Sequence, residues 1–362
     1  MRHGRGFANN DANTPATNTA AADPYKIRLT TCQSSRRFDR KRDKQRLGPP
    51  FVYSDEGKLL TNEEMKAMCK SRSIRTATLG ATALLMSLPA ASPAQAAPTC
   101  FGREPTIIGN DSRNRLTGTP GADVIMGEGG DDVIFGRGGD DLICGGGGND
   151  EMLGGRGNDR IRGNRSAGAT GHSERLLGGV GRDLLMGNGG EDDLVGGPGR
   201  DRLIGGRGSD TAAYYTAKSG VSVDLGRGVA TGDGRDRLYT MENATGSDHD
   251  DVIIGNGGDN YLGGDYGRDL VIAKGGNDRM SGDGIYEDGS GDVLRGGAGD
   301  DYASGDYEPD SGGPDRIYGG DGNDSLYGGP ADDLIDGGDG IDLIRGGPGD
   351  DVCRNGEDVE RC

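Results

Sequence analysis

The feature that most limits what this chain can become is an aspartate that returns every nine residues. In Gly136 to Gly163, GRGGDDLICGGGGNDEMLGGRGNDRIRG, the evenly spaced Asp141, Asp150 and Asp159 are each followed two positions later by a lone apolar residue, Ile143, Met152 and Ile161. Gly accounts for 73 of 362 residues, aromatics for 5%, and Trp is absent, so a large conventional core is not available. Low hydrophobicity with a net charge of -18 would by itself favour a disordered chain. The strict period argues the other way.

Counted from the glycine that opens each unit, position six reads Asn114, Asp123, Asp132, Asp141, Asp150 and Asp159. After a six-residue insertion it continues as Glu174, Asp183, Asp192, Asp201 and Asp210. A second block carries Asp251, Asn260, Asp269, Asp278, Asp292, Asp301, Asp315, Asp324, Asp333, Asp342 and Asp351 at the same position, interrupted twice by five-residue insertions, around Ile285 to Ser290 and Tyr307 to Ser311. Position eight is apolar almost throughout, from Leu116 and Ile125 to Ile335 and Ile344. An apolar residue flanked by two others puts one side chain inward and two outward, as a short strand does. The glycines supply tight turns.

Gly154-Gly155-Arg156-Gly157-Asn158-Asp159-Arg160-Ile161 and Gly319-Gly320-Asp321-Gly322-Asn323-Asp324-Ser325-Leu326 resemble the RTX, or haemolysin-type, calcium-binding repeat, G-G-x-G-x-D-x-U-x. The resemblance covers most of residues 107 to 354. It implies an all-β fold, a right-handed parallel β-roll in which each unit is a calcium-binding turn followed by a three-residue strand, with two units per coil. The loop of one unit then stacks on the loop two units later, Asp141 near Asp159, about one strand spacing of ~4.8 Å away. Calcium is the expected cofactor. Its candidate ligands are Asp123, Asp132, Asp141, Asp150, Asp159, Asp183, Asp192, Asp201, Asp210, Asp251, Asp269, Asp278, Asp292, Asp301, Asp315, Asp324, Asp333, Asp342 and Asp351. Asn114, Asn260 and Glu174 depart from the pattern, and a neutral Asn makes a poorer ligand than Asp.

Stacked carboxylates repel unless a cation lies between them. Calcium accepts six or more hard oxygen ligands in forgiving geometry, whereas magnesium demands a stricter octahedron. His172 and His249, read as loop residues, are the only histidines after the leader described below, too few for a zinc or copper centre. One buried Ile or Leu per unit returns about 1.5 to 3 kcal/mol, less than the entropy lost in ordering nine residues. The chain without metal is therefore expected to be largely disordered and to condense when calcium neutralises the loops.

Residues 65 to 96 have the layout of a secretory signal peptide: Lys66, Lys70, Arg72 and Arg75, an apolar run through Leu88, then small residues to Ala94-Gln95-Ala96. The polar residues 1 to 64 are expected to be a non-native or disordered extension, with translation starting near Met65 or Met68. The remaining organisation reads as an N-terminal cap at 97 to 108, a first roll block at 109 to 212, a strand-rich insert at 213 to 245, a second block at 246 to 354 and a C-terminal cap at 355 to 362. Cys32 and Cys69 fall before the mature chain. Cys100, Cys144, Cys353 and Cys362 suggest two disulfides, and sequence proximity favours Cys100 with Cys144 and Cys353 with Cys362 among three connectivities.

Residues 97 to 362 hold 25 basic and 51 acidic side chains, a balance of 25 minus 51, or -26. Such a surface repels nucleic acid and anionic membranes and attracts metal cations. Arg137, Arg156, Arg160, Arg200, Arg202 and Arg207 are expected to balance neighbouring Asp charge. In the insert, Val221 to Leu225 alternates as a short strand, Tyr214 and Tyr215 read as packing residues, and Asn243-Ala244-Thr245 matches a glycosylation sequon. No catalytic constellation is visible. The expected function is that of a secreted calcium-binding repeat protein, not an enzyme, whose partners are several calcium ions and an unidentified protein or surface, without nucleic acid or stable membrane insertion. The competing readings are the calcium-stabilised portion of a secreted hydrolase and a cell-surface adhesin.

Overall fold

The computed structural model describes residues 98–164, 172–284, 289–306 and 312–362. The signal-peptide and N-terminal extension expectations, Cys32, Cys69 and most of each insertion lie outside them. Within the unit spanning Ala90–Cys362, the described residues form no helix and build two sheets, one of 15 strands and one of 13. Consecutive units alternate between the sheets, so each strand pairs in parallel with the strand two units on. Ile125 faces Ile143, Ile143 faces Ile161, and across the six-residue insertion Ile161 faces Leu185. On the other sheet Ile134 faces Met152 and Met152 faces Leu176.

This register follows from the period. Two nine-residue units make a step of 18, so every position-eight side chain lands on its equivalent. The inner wall is a column of apolar residues, Ile125 through Leu203 and Ile253 through Ile344, almost all fully buried. A one-residue slip would turn the whole column outward, which fixes the pairing. The insertions leave the register intact: Leu270 pairs with Val293 and Val293 with Arg316.

The insert joins the blocks rather than separating them. Strands Ser222–Asp224, Val229–Thr231 and Arg235–Tyr239 enter the 15-stranded sheet between Arg202–Arg207 and Val252–Ile254, and their mutual pairing is antiparallel. The other sheet runs straight through, from Thr211–Ala213 to Asn243–Thr245 to Tyr261–Asp265. Val223 and Leu238 continue the inner wall. Both blocks therefore share one pair of sheets. Asn243 is buried, with its amide donating to Ser209 Oγ (2.9 Å) and its carbonyl oxygen accepting from the Tyr261 N–H, so the sequon is not displayed.

Cys100 is bonded to Cys144 and Cys353 to Cys362, each pair with Cα atoms 5.8 Å apart. The first bridge lays Cys100 and Phe101 over the outer face of the opening strands, where they pack with Met126, Val124 and Leu142. The second ties the strand Val352–Arg354, last in its sheet, to the chain end. Sheet edges are the weak ends of a solenoid; the second bridge lies at one, whereas the first ties the chain ahead of the roll to the third strand of the 15-stranded sheet.

Candidate metal centre

The turns that connect the strands stack into two ladders of carboxylates. In the 15-stranded sheet, the N–H of Asp123 donates to Asp141 Oδ1, Asp141 to Asp159, Asp159 to Asp183 and Asp183 to Asp201. Beyond the insert, Asp251 donates to Asp269, then Asp269 to Asp292, Asp292 to Asp315, Asp315 to Asp333 and Asp333 to Asp351. The other sheet repeats this through Asp132 to Asp150, Asp192 to Asp210, Asp278 to Asp301, Asp301 to Asp324 and Asp324 to Asp342. These bonds span 2.7 to 3.0 Å. The stacking of Asp141 on Asp159 follows the repeat, but every acceptor carboxylate in these ladders spends one oxygen on the main chain of the preceding coil.

The second oxygen has no such use. Among the described residues, Oδ2 is buried without a hydrogen-bond partner at Asp132, Asp141, Asp150, Asp159, Asp183, Asp192, Asp201 and Asp210, and at Asp269, Asp278, Asp301, Asp315, Asp324, Asp333, Asp342 and Asp351. A buried, unpaired carboxylate oxygen is costly. It faces a gap beside the glycine at position one: a Cβ built on Gly178 would lie 2.6 Å from both Asp183 Oδ2 and the Gly196 carbonyl oxygen of the next coil. Carboxylate and carbonyl oxygens thus converge where a side chain cannot stand. Asp292 Oδ2 faces Gly282 in the same way.

Four turns are built differently. Where position two is Asn110, Thr119, Ser247 or Asn256, its N–H donates to the position-six side chain, respectively Asn114 (2.7 Å), Asp123 (2.6 Å), Asp251 and Asn260 (2.9 Å). Elsewhere, outside the units carrying insertions, position two is left-handed, as at Gly155 (φ 111) and Arg137 (φ 79), which turns its N–H away. The four closed turns are the first two of each block. Asp123 and Asp251 therefore differ from the other candidates, since their Oδ2 is already hydrogen-bonded, and Asn at 114 and 260 fills the same role. Glu174 reaches its gap with a longer side chain, where Asn164 donates to Oε2 (3.0 Å).

The ladders also include acids that the spacing did not single out. Asp201 donates its N–H to Asp236 Oδ1, Asp210 to Glu242 Oε2 and Asp342 to Glu357 Oε2. The signal was present as an acid two residues before an apolar residue in register with the inner column: Asp236 before Leu238, Glu242 before Ala244, and Glu357 before Val359, which pairs with Ile344 and is exposed at the end of its sheet. At the insert, Tyr214 donates its phenol to Asp236 Oδ2 (3.2 Å), so the buried Tyr214 caps the carboxylate besides packing. Tyr215 instead receives Arg175 (2.6 Å).

Burial holds most of the ladder carboxyls far above the usual carboxylate range. It pushes Asp141, Asp159 and Asp324 up to about 6, Asp150 and Asp333 to about 7, and Asp201 and Asp315 to about 8. Neighbouring ladder carboxylates add to the rise, and the hydrogen bond from the preceding coil opposes it. Glu174 is pushed up to about 11, first by burial and then by Asp192.

No group of three or more His, Cys, Asp or Glu side chains converges on one point among the described residues. The atoms that converge in the turns are Asp Oδ2 and main-chain carbonyl oxygens, an all-oxygen donor set that suits calcium. The aspartates with bare Oδ2 and the carbonyls of the position-one glycines are the atoms that would hold it.

The geometry defines a repeat solenoid with metal-type turns. Segments 108–143, 145–167, 170–212, 245–284, 288–306, 310–344 and 327–358 match the RTX calcium-binding nonapeptide repeat. The chain belongs to this family and is a calcium-binding repeat protein. Comparison with curated proteins gave no match.

Two results are expected at this site. Asp123→Asn leaves the number of calcium ions bound per chain unchanged, as Asn114 and Asn260 already do its work, whereas Asp141→Asn lowers it; metal analysis after equilibrium dialysis checks both. Acid should compete with calcium. The folded-state values lie above the unfolded value near 3.9, so the metal-free roll binds more protons than the unfolded chain. Its proton-linked stability is present below about pH 4 and is lost as pH rises through 6 to 8. Calcium binding requires the opposite ionisation, so within a roll already held folded by its other calcium ions a site such as Asp150 should bind about 30-fold more weakly at pH 5.5 than at pH 8. Calcium titrations at the two pH values read this shift.

Proposed function

We propose that this is a secreted protein that folds on meeting extracellular calcium and acts as a structural or interaction module without catalytic activity. The observation that supports this best is the pair of ladders of buried carboxylates, most of which accept a bond from the preceding coil on one oxygen, with the other bare at sixteen of the repeat aspartates among the described residues. Without metal, these oxygens oppose the compact state. Weak calcium sites of the extracellular kind, with dissociation constants of roughly 10⁻⁴ to 10⁻³ M, would stay empty inside a cell and fill outside it. The layout of residues 65 to 96 and the four paired cysteines favour export to an oxidising compartment.

The test is to express the full chain in a host that exports proteins and to examine the medium. The reading expects a product beginning at residue 97 or 98 that hydrolyses neither peptide nor ester substrates. Product retained in the cytosol contradicts the export reading, and clear turnover contradicts the non-enzymatic one.

A further inference from the structure

Amid a strongly acidic body, five arginines gather on one patch of the 15-stranded side. Arg182, Arg200, Arg202, Arg235 and Arg237 line a shallow cleft of about 440 Å³. Of these, Arg200 and Arg202, like Arg137, Arg156, Arg160 and Arg207, are expected from the sequence to balance neighbouring Asp charge, yet among the described residues none of these six, nor Arg182, Arg235 or Arg237, joins an ion pair. Ion pairs are made instead by other side chains, among them Arg175 with Asp193, Arg227 and Lys274 with Asp224, and Arg345 with Glu360.

The register explains the crowding. Gly181 bridges Gly199, and Gly199 bridges Gly234, so Arg182, Arg200 and Arg235, each the next residue, follow one another on three successive coils. Arg202 lies directly opposite Arg237 on the adjacent strand. All five are exposed, and Arg202 alone has an aromatic neighbour, Tyr239, at 5.6 Å. Asp201, the one acid lining the cleft, is buried in the carboxylate ladder. Like charges directly opposite on neighbouring strands destabilise a sheet, and the insert contributes two of the five. Guanidinium forks carried on adjacent strands and successive coils around one cleft, each able to hold a planar or tetrahedral oxyanion with two hydrogen bonds, make a receptor for negative charge.

We propose that this cleft binds a small ligand of sugar size carrying two or three sulfate or phosphate esters. Size follows from the surroundings. The basic patch covers only three coils of a chain with a balance of -26 after residue 96, so a long duplex or an anionic bilayer would meet acidic flanks, whereas a compact ligand would not.

The test is calorimetric titration of the calcium-saturated full chain with sucrose octasulfate and, separately, fructose 1,6-bisphosphate. Saturable binding of at least one is expected, and which one binds assigns sulfate or phosphate. Arg200→Gln/Arg235→Gln and, as a second pair, Arg202→Gln/Arg237→Gln should each weaken it at least about tenfold, while Arg268→Gln/Arg295→Gln, elsewhere on the roll, leaves it unchanged. Circular dichroism in calcium verifies that each variant is folded. The proposal is overturned if neither probe saturates, or if both cleft variants bind like the parent. Tighter, cleft-dependent binding of duplex DNA or phosphatidylserine vesicles would equally overturn it.

Discussion

Replacing Gly319 with alanine is expected to cost about 3 kcal/mol of stability in saturating calcium, near the upper end of what overpacking a tight site costs. A Cβ there would meet Asp324 Oδ2 and the Gly337 carbonyl oxygen of the next coil, and the carbonyl belongs to the backbone. Neither can retreat cheaply: the Asp324 carboxylate is held by the Asp301 N–H (2.8 Å), and the coil carrying Gly337 is paired along its strand through Ile317 and Ile335. The loss should also appear as weaker calcium binding, because the methyl group fills the gap into which Oδ2 points. Gly147→Ala is the control. Nothing lies within 4 Å of a Cβ there, and its φ is outside the left-handed region, so its stability should stay within about 0.5 kcal/mol of the parent. Thermal unfolding of both variants at fixed calcium separates close approach from the general cost of replacing glycine.

The second large effect is expected at Ile143. This side chain is fully buried and sits between Ile125 and Ile161 on the neighbouring strands. Ile143→Ala should cost about 2 to 5 kcal/mol, the range for removing a large aliphatic group from a core that cannot collapse around the gap. A column with one apolar side chain per coil per sheet has no second layer to fill it. In a solenoid, each coil touches only its neighbours, so the destabilisation should be local. Hydrogen exchange is expected to quicken most in Val124–Gly129, Leu142–Gly147 and Arg160–Asn164 and little in the second block. Uniformly faster exchange would mean that the roll unfolds as one unit.

The alternation of units between two sheets, the step of 18 and the inward residue at position eight were all legible in the sequence, because each follows from a fixed period that admits one register. The nineteen aspartates were legible as a class, but their differences were not. Whether Oδ2 is bare depends on the backbone at position two, and Thr119 and Ser247 look like ordinary turn residues until their N–H groups are seen to close on Asp123 and Asp251. Asp236, Glu242 and Glu357 lie outside the nine-residue spacing, which fails across the insert and at the chain end. The acid-x-apolar pattern, which reports the local geometry itself, survives there. The absence of close ion pairs at Arg200 and Arg202 has a related reason: opposite charges close in sequence point to different faces when one is an inward ladder residue and the other an outward strand or loop residue.

That the family's repeats bind calcium accounts for the bare oxygens, and the ladders give a physical reason why the roll should depend on it. Asp236 and Asp251, at the two sides of the insert, are bonded by Tyr214 and Ser247. The ladder of the 15-stranded sheet is thus closed by protein groups where the two blocks meet, and the candidate metal positions fall into a run on either side.

The most direct measurement is far-ultraviolet circular dichroism of the chain from residue 97 to 362 at pH 8, first stripped with EDTA and then titrated with calcium. The account predicts a spectrum dominated by disorder after chelation and a cooperative gain of β signal as calcium is restored, with magnesium at the same concentrations much less effective. A chelated chain with the same β spectrum as the calcium-loaded one would contradict it, since the bare carboxylate oxygens would then be buried without any cation to hold the coils together.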